Sequence, residues 1–478
     1  MGWYIYLYIL GSAFFIIGMK GLTRVKTARS SLRLAALGMA LAMIAAIIQT
    51  TGISWWMLLL GLAIGSAIGG YLAVSVPMTA MPELVAAFNG FGGVASAFVA
   101  FAAAAKFAGI ADIAGIGRFA GARNVGLTLS QAGLSGWIMP ATVFIGMLTL
   151  VGSFVAYFKL GGKKMLHPLQ GAKRNQFHIA LGVVSLGMVF WSVFGGTGAG
   201  LWIPMIIIAI TGGLLGWYLT LPIGGADMPV VVALLNSYSG IAAAASGFVI
   251  GNFMLITGGA LVGASGLILT KIMCKAMNRS LGNVLIGGIG DDSQAEDARD
   301  YTNVKETSPE EVAMLCADAT SVVIVPGYGL AVAQAQHVTR ELADELIKAG
   351  VEVRYAIHPV AGRMPGHMNV LLAEADVPVE QLFEMDQINA DFKQTDLVIV
   401  TGANDVVNPV ARTDPQSPIA GMPILDVIQA QTVVVIKRSL SPGYAGIKNP
   451  LFEADNCLML FSDAKKALTE MVEEVKDL

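Results

Sequence analysis

Long apolar runs follow one another through the first 280 residues and stop there. Each is close to the 20 or so residues that an α-helix needs to cross a bilayer. The nine runs lie at 2–19, 34–50, 54–75, 83–106, 133–158, 177–194, 200–220, 227–249 and 253–274. The pattern predicts a polytopic α-helical membrane domain over residues 1–280, with about nine transmembrane helices. The first run lacks the basic segment of a cleaved signal peptide, so we expect it to be retained.

From residue 308 onward, short apolar runs alternate with amphipathic segments. Buried strands are predicted at 321–325, 352–357, 397–401, 432–436 and 458–461, and helices at 330–349, 368–375 and 463–475. This alternation is typical of a doubly wound parallel sheet, whose ligands bind at the carboxyl ends of the strands. We therefore predict an α/β Rossmann-like doubly wound domain at 308–478, joined to the membrane domain by a polar linker at 281–307.

Acidic residues are rare in the apolar part of the chain and frequent in the rest. Residues 1–280 contain three, Glu83, Asp112 and Asp227, whereas the remaining residues contain thirty. Lys and Arg divide almost evenly, so the first part has a net charge of +13 and the second a net charge of −16. Because a buried charge is costly in a bilayer, this asymmetry indicates a membrane domain joined to an acidic soluble domain. We expect the lipid bilayer, and no nucleic acid, among the partners.

The three cysteines and five histidines are scattered along the chain and show no metal-ligand spacing. We therefore expect free thiols in a reducing compartment and no metal site.

Clusters of Lys and Arg follow the first, fifth and ninth apolar runs. They lie within Lys20–Arg33, Lys159–Arg174 and Lys271–Arg279. Cytoplasmic loops of membrane proteins carry an excess of these residues. With nine helices, all three clusters lie on one side of the membrane, which predicts an outer N-terminus and a cytoplasmic C-terminal domain.

The third apolar run contains Gly61, Gly65 and Gly69 at intervals of four residues. Small residues at this spacing let two membrane helices approach closely. The repeat predicts that the third helix packs against a neighbour.

The first strand of the soluble domain ends in a glycine turn, Gly327-Tyr328-Gly329. A strand, a G-x-G turn and a helix in this order form the context of a dinucleotide fingerprint, in which the helix start meets the pyrophosphate. The third fingerprint position is Val332 rather than Gly or Ala. Further glycine-rich turns at 360–366, 402–405 and 443–446 favour a ligand wrapped by several loops, although each could be an ordinary connection.

The charges at two strand ends favour NADP(H) over NAD(H). An NAD site usually places an acid at the end of the second strand, for the ribose 2′-hydroxyl, but this strand ends at Ile357-His358-Pro359. Lys437-Arg438-Ser439 follows directly on the strand at 432–436 and would suit a 2′-phosphate. A solvated basic turn is the alternative.

Polar groups inside the apolar runs are candidates for function. Glu83 begins the fourth helix, and Asn89 lies about 9 Å deeper at 1.5 Å per residue. Asp227 begins the eighth helix, and Asn236 lies about 13 Å deeper. The amides could instead only bridge helices, and the acids could only mark helix ends.

Five segments of the chain are distinctive: GADMPVVV at 225–232, LNSYSG at 235–240, MCKAMNRS at 273–280, PGYGLAVAQAQ at 326–336 and HPVAGRMPGHMNVLLAEA at 358–375. Through these segments nearly the whole chain resembles the β subunit family of proton-translocating NAD(P) transhydrogenase. The resemblance implies a bacterial inner-membrane enzyme that moves hydride between NADH and NADP⁺ and couples this to proton passage. NADP(H) would bind this chain, and NAD(H) would bind the partner α subunit. A dimer of αβ units is expected.

The resemblance also implies a set of NADP(H)-binding residues, with the nucleotide reversed relative to the usual Rossmann mode. They are Gly327, Tyr328, Gly329, Val360, Ala361, Gly362, Arg363, Met364, Pro365, Gly402, Ala403, Asn404, Asp405, Val406, Gly421, Met422, Lys437, Arg438, Ser439, Leu440, Ser441, Pro442, Gly443, Tyr444, Asp463 and Ala464. Many members of the family have Thr in place of Val406, so one hydroxyl contact is missing here.

The proton path is expected to involve Glu83, Asn89, Asp227 and Asn236. Some bacterial members have a titratable His at the position of Asn89, and an amide cannot store a proton. Storage would then fall to Glu83 or Asp227, to His178 or to the partner chain. A membrane transporter with a nucleotide-sensing Rossmann module is the alternative function. A quinone-reducing dehydrogenase would need flavin or metal ligands, which the sequence does not suggest.

Overall fold

The computed structural model describes residues 3–21, 25–49, 55–77, 80–107, 129–163, 171–194, 199–225, 227–278, 280–286, 301–363, 366–443 and 445–477. The chain divides into two compact units. The helical unit comprises Met1–Ile223 and Val231–Thr270, and the sheet unit comprises Gly224–Val230 and Lys271–Leu478.

Nine helices follow one another from the N-terminus to residue 276 in the described part of the chain. They are α1 (Tyr4–Gly21), α2 (Val25–Gln49), α3 (Trp55–Ser75), α4 (Met81–Phe107), α5 (Leu129–Leu160), α6 (Gly171–Phe194), α7 (Ala199–Thr220), α8 (Met228–Ile250) and α9 (Phe253–Ala276). Among the described residues, eight helices are long and apolar enough to cross a membrane, and the apolar part of α1, Tyr4–Lys20, is shorter. The prediction of a multi-helix apolar domain is therefore confirmed, while the count of nine spans stays a prediction.

Glycine sets the close approach of several of these helices. A Cβ added to Gly93 of α4 would lie 2.6 Å from the carbonyl oxygen of Gly146 of α5, and one added to Gly259 of α9 would lie 2.7 Å from that of Gly240 of α8. No side chain fits at such distances, so the backbones touch directly, as small-residue packing in membranes allows.

The described part of this chain supplies no neighbour for the glycine repeat of α3, so the predicted packing through this repeat stays a prediction. No described atom lies within 4 Å of a Cβ built at Gly61, Gly65 or Gly69, and α3 has no buried residue. A glycine spacing identifies a helix surface that permits close packing, but it does not identify the neighbour.

The sheet unit alternates strands and helices along the chain. After α10 (Leu281–Ile286) come α11 (Pro309–Asp318), β1 (Ser321–Pro326), α12 (Tyr328–Ala333), α13 (Gln336–Lys348), β2 (Glu352–Ile357), α14 (His367–Glu374), β3 (Leu382–Glu384), α15 (Met385–Ile388), β4 (Leu397–Thr401), α16 (Val410–Thr413), β5 (Thr432–Lys437), β6 (Cys457–Phe461) and α17 (Ala464–Asp477).

The six strands form one parallel sheet in the order β3-β2-β1-β4-β5-β6. Val323 of β1 pairs with Arg354 of β2 on one side and with Val398 of β4 on the other. Apolar side chains of the central strands are fully buried together with Phe392 and Phe452. These strands are covered on both faces, as parallel sheets require, so they appear in the sequence as continuous apolar runs. The predicted C-terminal parallel sheet with helices is confirmed.

Three details differ from the sequence-based prediction. The strand β3 was missed, and the single helix predicted at 330–349 is wrong. Gln334 adopts a left-handed conformation with φ of 50° and separates α12 from α13. Part of the predicted linker packs along β6, because the Met459 N–H donates to the Lys305 carbonyl at 2.7 Å and the Thr307 N–H donates to the Met459 carbonyl at 3.0 Å.

Candidate functional site

A cavity of about 680 Å³ lies at the carboxyl ends of the parallel strands. Its walls come from the turns that follow β1, β2, β4, β5 and β6, from the segment at 418–422, and from Gly224, Gly225, Asp227, Pro229 and Met277. All of these residues belong to the sheet unit. The sheet order changes direction between β1 and β4. Connections leave toward opposite sides at such a point, which opens a crevice where ligands of doubly wound sheets bind.

The turns after β1 and β4 interlock through glycine. The Gly327 N–H donates to the Thr401 carbonyl and the Gly329 N–H to the Gly402 carbonyl, both at 2.9 Å. A Cβ at Gly329 would lie 2.6 Å from the Gly402 Cα, and Gly402 itself has φ of +67°. The fingerprint glycines are thus required by contact between two neighbouring turns, whatever ligand lies above them.

Basic and hydroxyl groups gather where β5 ends. Lys437 is half-buried, and its Nζ donates to the Ser441 carbonyl at 2.7 Å and lies 4.9 Å from the centre of the Phe452 ring. Burial lowers the pKa of Lys437 to about 8, although the Asp405 carboxylate acts in the opposite direction. Arg438 and Ser439 are exposed, and the Ser439 and Ser441 hydroxyl oxygens are 2.9 Å apart.

The loop after β5 is attached to the turn after β4. Asp405 accepts the Ala445 N–H at 3.0 Å, and its carboxylate occupies the space that a side chain at Gly443 would need. Asn449 is fully buried and donates to the Asn404 carbonyl at 3.2 Å. These contacts join residues about 40 positions apart and close one side of the cavity.

A buried histidine occupies the end of β2, where an NAD site would place an acid. His358 is 2% exposed, its Nδ1 accepts the Val360 N–H at 3.3 Å, and its Nε2 lies 2.8 Å from the Pro423 carbonyl oxygen. Burial lowers the pKa of His358 to about 4, against the opposing effect of the Pro423 carbonyl. The ring is therefore neutral at physiological pH and connects the turn after β2 to the segment beside Met422.

Most of the predicted nucleotide-binding residues line this one cavity. They are Gly327, Tyr328, Gly329, Val360, Ala361, Gly362, Gly402, Ala403, Asn404, Asp405, Val406, Met422, Lys437, Arg438, Ser439, Ser441, Pro442, Gly443, Asp463 and Ala464. Arg363, Gly421 and Leu440 are not among the lining residues, and Met364, Pro365 and Tyr444 lie outside the described residues.

The sequence did not predict part of the cavity wall, nor the buried side chains that hold the turns of the wall in place. Pro418 and Ile419 line the cavity, although neither a glycine pattern nor a charge marks them in the sequence. The roles of His358 and Asn449 depend on partners far along the chain, so no local signal could have revealed them.

The predicted membrane residues fall in two places. Asn89 is 6% exposed on α4, and its Nδ2 donates to the Val232 carbonyl of α8 at 3.2 Å. A Cβ at Gly92 would overlap the Ser239 hydroxyl, so α4 and α8 are in contact over this stretch. Glu83 lies in the first turn of α4, and Asn236 is half-buried on α8. Asp227 is 3% exposed and belongs to the sheet unit, where it lines the cavity.

Comparison with known proteins assigns the family. The family profile described as NAD(P) transhydrogenase beta subunit matches residues 5–474. Two sequences of the NAD(P) transhydrogenase subunit beta of Rhodospirillum rubrum are each 46% identical to this chain over 473 residues, which is 98% of this chain and 97% of each relative. The chain belongs to the NAD(P) transhydrogenase beta subunit family.

Membership confirms the resemblance drawn from the sequence motifs. It makes the chain a subunit of a nicotinamide nucleotide transhydrogenase, and the designation beta implies an alpha subunit as partner. Together with the apolar helices of the helical unit, it indicates a membrane protein.

Proposed function

We propose that this transhydrogenase beta subunit binds NADP(H) in the cavity of its sheet unit. NADP(H) there exchanges hydride with NAD(H) held by the alpha subunit. The observation that carries this proposal is that two interlocked glycine turns and the residues Lys437, Arg438, Ser439 and Ser441 line one cavity of about 680 Å³. The buried His358 supports the turn after β2 from behind this wall. That volume lies within the range of small-molecule and cofactor sites.

The sheet topology supports a dinucleotide ligand. The strand order 3-2-1-4-5-6 is that of the dinucleotide-binding doubly wound folds, and the sheet here has this order. We therefore regard the sheet unit as Rossmann-like. The helix after the glycine turn, α12, has only six residues, so the phosphates depend more on loop backbone and on Lys437 than on a helix dipole.

The charges support NADP(H) rather than NAD(H). The residue that follows β2 is His358, which is buried and neutral, rather than an acid. Lys437, Arg438 and the paired hydroxyls of Ser439 and Ser441 offer a cation cluster and hydroxyl donors at the end of β5. Charge-assisted hydrogen bonds of this kind are the strong ones in phosphate recognition. These residues would hold the 2′-phosphate.

The chemistry of hydride exchange belongs to the cofactor: a bound nicotinamide donates or accepts the hydride at its ring. The protein residues bind and orient. Gly327, Gly329 and Gly402 permit close backbone approach, and Asp405 and Asn449 hold the loop after β5 against the turn after β4. The described part of the sheet unit contains one parallel sheet, so we expect the second nicotinamide to come from the alpha subunit. A dimer of αβ units remains our expectation.

We further propose that the helical unit carries protons across a bacterial inner membrane, with the sheet unit in the cytoplasm. The support is the polar contact between α4 and α8, where Asn89 meets the Val232 carbonyl and Gly92 faces Ser239. Amides and hydroxyls buried between apolar helices need partners or water, and a water file would meet that need. Glu83 and Asp227 are the carboxylates that we expect to store a proton.

The test of the nucleotide site is the substitution Arg438→Ala in the purified αβ enzyme. Loss of one charge-assisted phosphate contact should weaken NADPH binding by roughly 10- to 100-fold, with NADH binding nearly unchanged. Titration of NADPH and NADH fluorescence measures both affinities. The exposed Lys393 on the same unit gives the matched control, since Lys393→Ala also removes one cation. Equal losses for both nucleotides would show that Arg438 is structural, and an NADPH affinity equal to that of the control would refute the proposed phosphate site.

A further inference from the structure

A second buried histidine lies behind the cavity wall. His367 begins α14 and has no exposed surface. Its Nδ1 accepts the Arg363 N–H at 3.0 Å. A neutral imidazole has one acceptor and one donor nitrogen, so this bond places the ring proton on Nε2. Burial, with a smaller contribution from the Arg363 guanidinium, lowers the pKa of His367 to about 4. The ring is therefore a fixed neutral tautomer at physiological pH.

The imidazole determines which residue can precede Arg363. Gly362 has φ of +108°, and a Cβ at this position would lie 2.5 Å from the His367 Nδ1. The backbone of the turn therefore lies directly against the ring. Gly362 lines the cavity, so the position of the ring sets the position of this part of the wall.

The same histidine lies next to the glycine turn after β1. The Tyr328 and His367 ring centres are 6.4 Å apart, and the Arg363 guanidinium lies 4.5 Å from the centre of the Tyr328 ring. Tyr328, between the two interlocked glycines, also lines the cavity, whereas His367 does not. One side chain behind the wall thus contacts two turns that form it.

We propose that His367 is a positioning residue for NADP(H): through its Nδ1 acceptor it holds the Gly362-Arg363 turn against Tyr328 and so fixes the shape of this cavity wall. The inference rests on the proposed NADP(H) site. Nε2 has no hydrogen-bond partner among the described residues. The hydrogen bond at Nδ1 therefore holds the Gly362-Arg363 turn in place, and Nε2 does not contribute to this.

This asymmetry gives a test with two near-isosteric variants of the full αβ enzyme. An Asn side chain places an amide oxygen near the position of Nδ1, whereas a Gln side chain places its amide near Nε2. His367→Asn should keep an NADPH affinity close to that of the wild type. His367→Gln should bind NADPH about 3- to 10-fold more weakly, the range expected for one lost hydrogen bond. The exposed His337 of the same unit supplies the control substitution His337→Asn.

The measurements are the NADPH dissociation constant, the KM for the NAD(H) substrate and the thermal midpoint of each variant. We expect the NADPH constant of His367→Gln to change while the KM for NAD(H) stays the same. If His367→Asn and His367→Gln bind NADPH equally well, or lose affinity to the same extent, the positioning role is refuted. A wild-type enzyme that does not bind NADPH would instead refute the proposed function.

Discussion

Glycine has a different structural role in each of the two units of this protein. In the helical unit, glycines such as Gly93 and Gly146 lie in regular helices and let two backbones touch. In the sheet unit, Gly329 and Gly402 lie in turns after parallel strands, where one backbone crosses directly over another. The first kind sets the distance between membrane helices. The second kind shapes the cavity at the carboxyl ends of the strands.

The polar residues of the two units differ in the same way. In the helical unit, polar side chains such as Asn89 and Ser237 each bond to a backbone carbonyl of a neighbouring helix. In the sheet unit, buried polar side chains such as His358 and Asn449 each connect two chain segments around the cavity. Polar groups in a bilayer are scarce and individually informative, whereas those of the sheet unit act together. The following predictions are ordered from the largest expected effect to the smallest.

The substitution Gly402→Ala should abolish NADPH binding and destabilise the sheet unit. A Cβ at this position would overlap the Gly329 Cα, and the positive φ of +67° adds strain. Overpacking and a left-handed alanine together cost about 3 kcal/mol or more. Gly350→Ala is the matched control, because Gly350 also has a positive φ, of +92°, but no described atom within 4 Å of the added Cβ. NADPH titration and limited proteolysis of the membrane-bound enzyme separate the two effects. If Gly402→Ala retains the NADPH affinity of Gly350→Ala, then the interlocked turns are not essential.

The strands and turns of the sheet unit show which parts of the structure can be predicted from the sequence. The central strands were predictable because they are buried on both faces, as the continuous apolar run at 321–325 shows. The edge strand β3 was not, because two of its three residues are half-buried and the third is exposed. The break at Gln334 has no glycine or proline to mark it. The turns of the site were predictable from their glycines and basic residues, whereas the supporting contacts of His358 and Asn449 arise only when distant segments meet in the fold.

In the helical unit, Asn236→Leu should abolish coupled proton translocation while NADPH binding persists. Leucine is similar in size but removes an amide from the surface of α8, which contacts α4 near Asn89 and Val232. A proton route requires hydrogen-bonding groups or water along its length. Proton uptake by sealed vesicles, measured together with NADPH titration, tests this. Ile241→Ala, which changes a partly exposed apolar residue of the same helix, is the control and should translocate protons normally.

Asn89→Leu should have a similar but smaller effect, because the Asn89 amide already donates to the Val232 carbonyl and so has fewer hydrogen bonds to offer a proton route. If enzymes with leucine at position 89 and at position 236 both translocate protons normally, the two amides only hold helices together. The polar contact between α4 and α8 would then be structural. The polar residues of the helical unit would serve only to pack helices together.

The smallest predicted effect is a dependence of NADPH affinity on pH through Lys437. Burial lowers the pKa of this residue to about 8 in the free protein, and a bound 2′-phosphate would raise it by favouring the charged form. Below pH 8 Lys437 is charged in both states, so it adds no pH dependence. Above pH 8 binding must be accompanied by proton uptake, so the affinity should fall with rising pH by up to about tenfold per unit.

Lys437→Arg should remove this slope, because arginine stays charged throughout the range, whereas Lys393→Arg at an exposed position should retain it. Calorimetric titration of NADPH between pH 7 and pH 10 in two buffers of different ionisation enthalpy measures both the affinity and the proton uptake. An equal slope in the wild type and in Lys437→Arg would mean that another group titrates, and that Lys437 supports the loop after β5 without binding the phosphate.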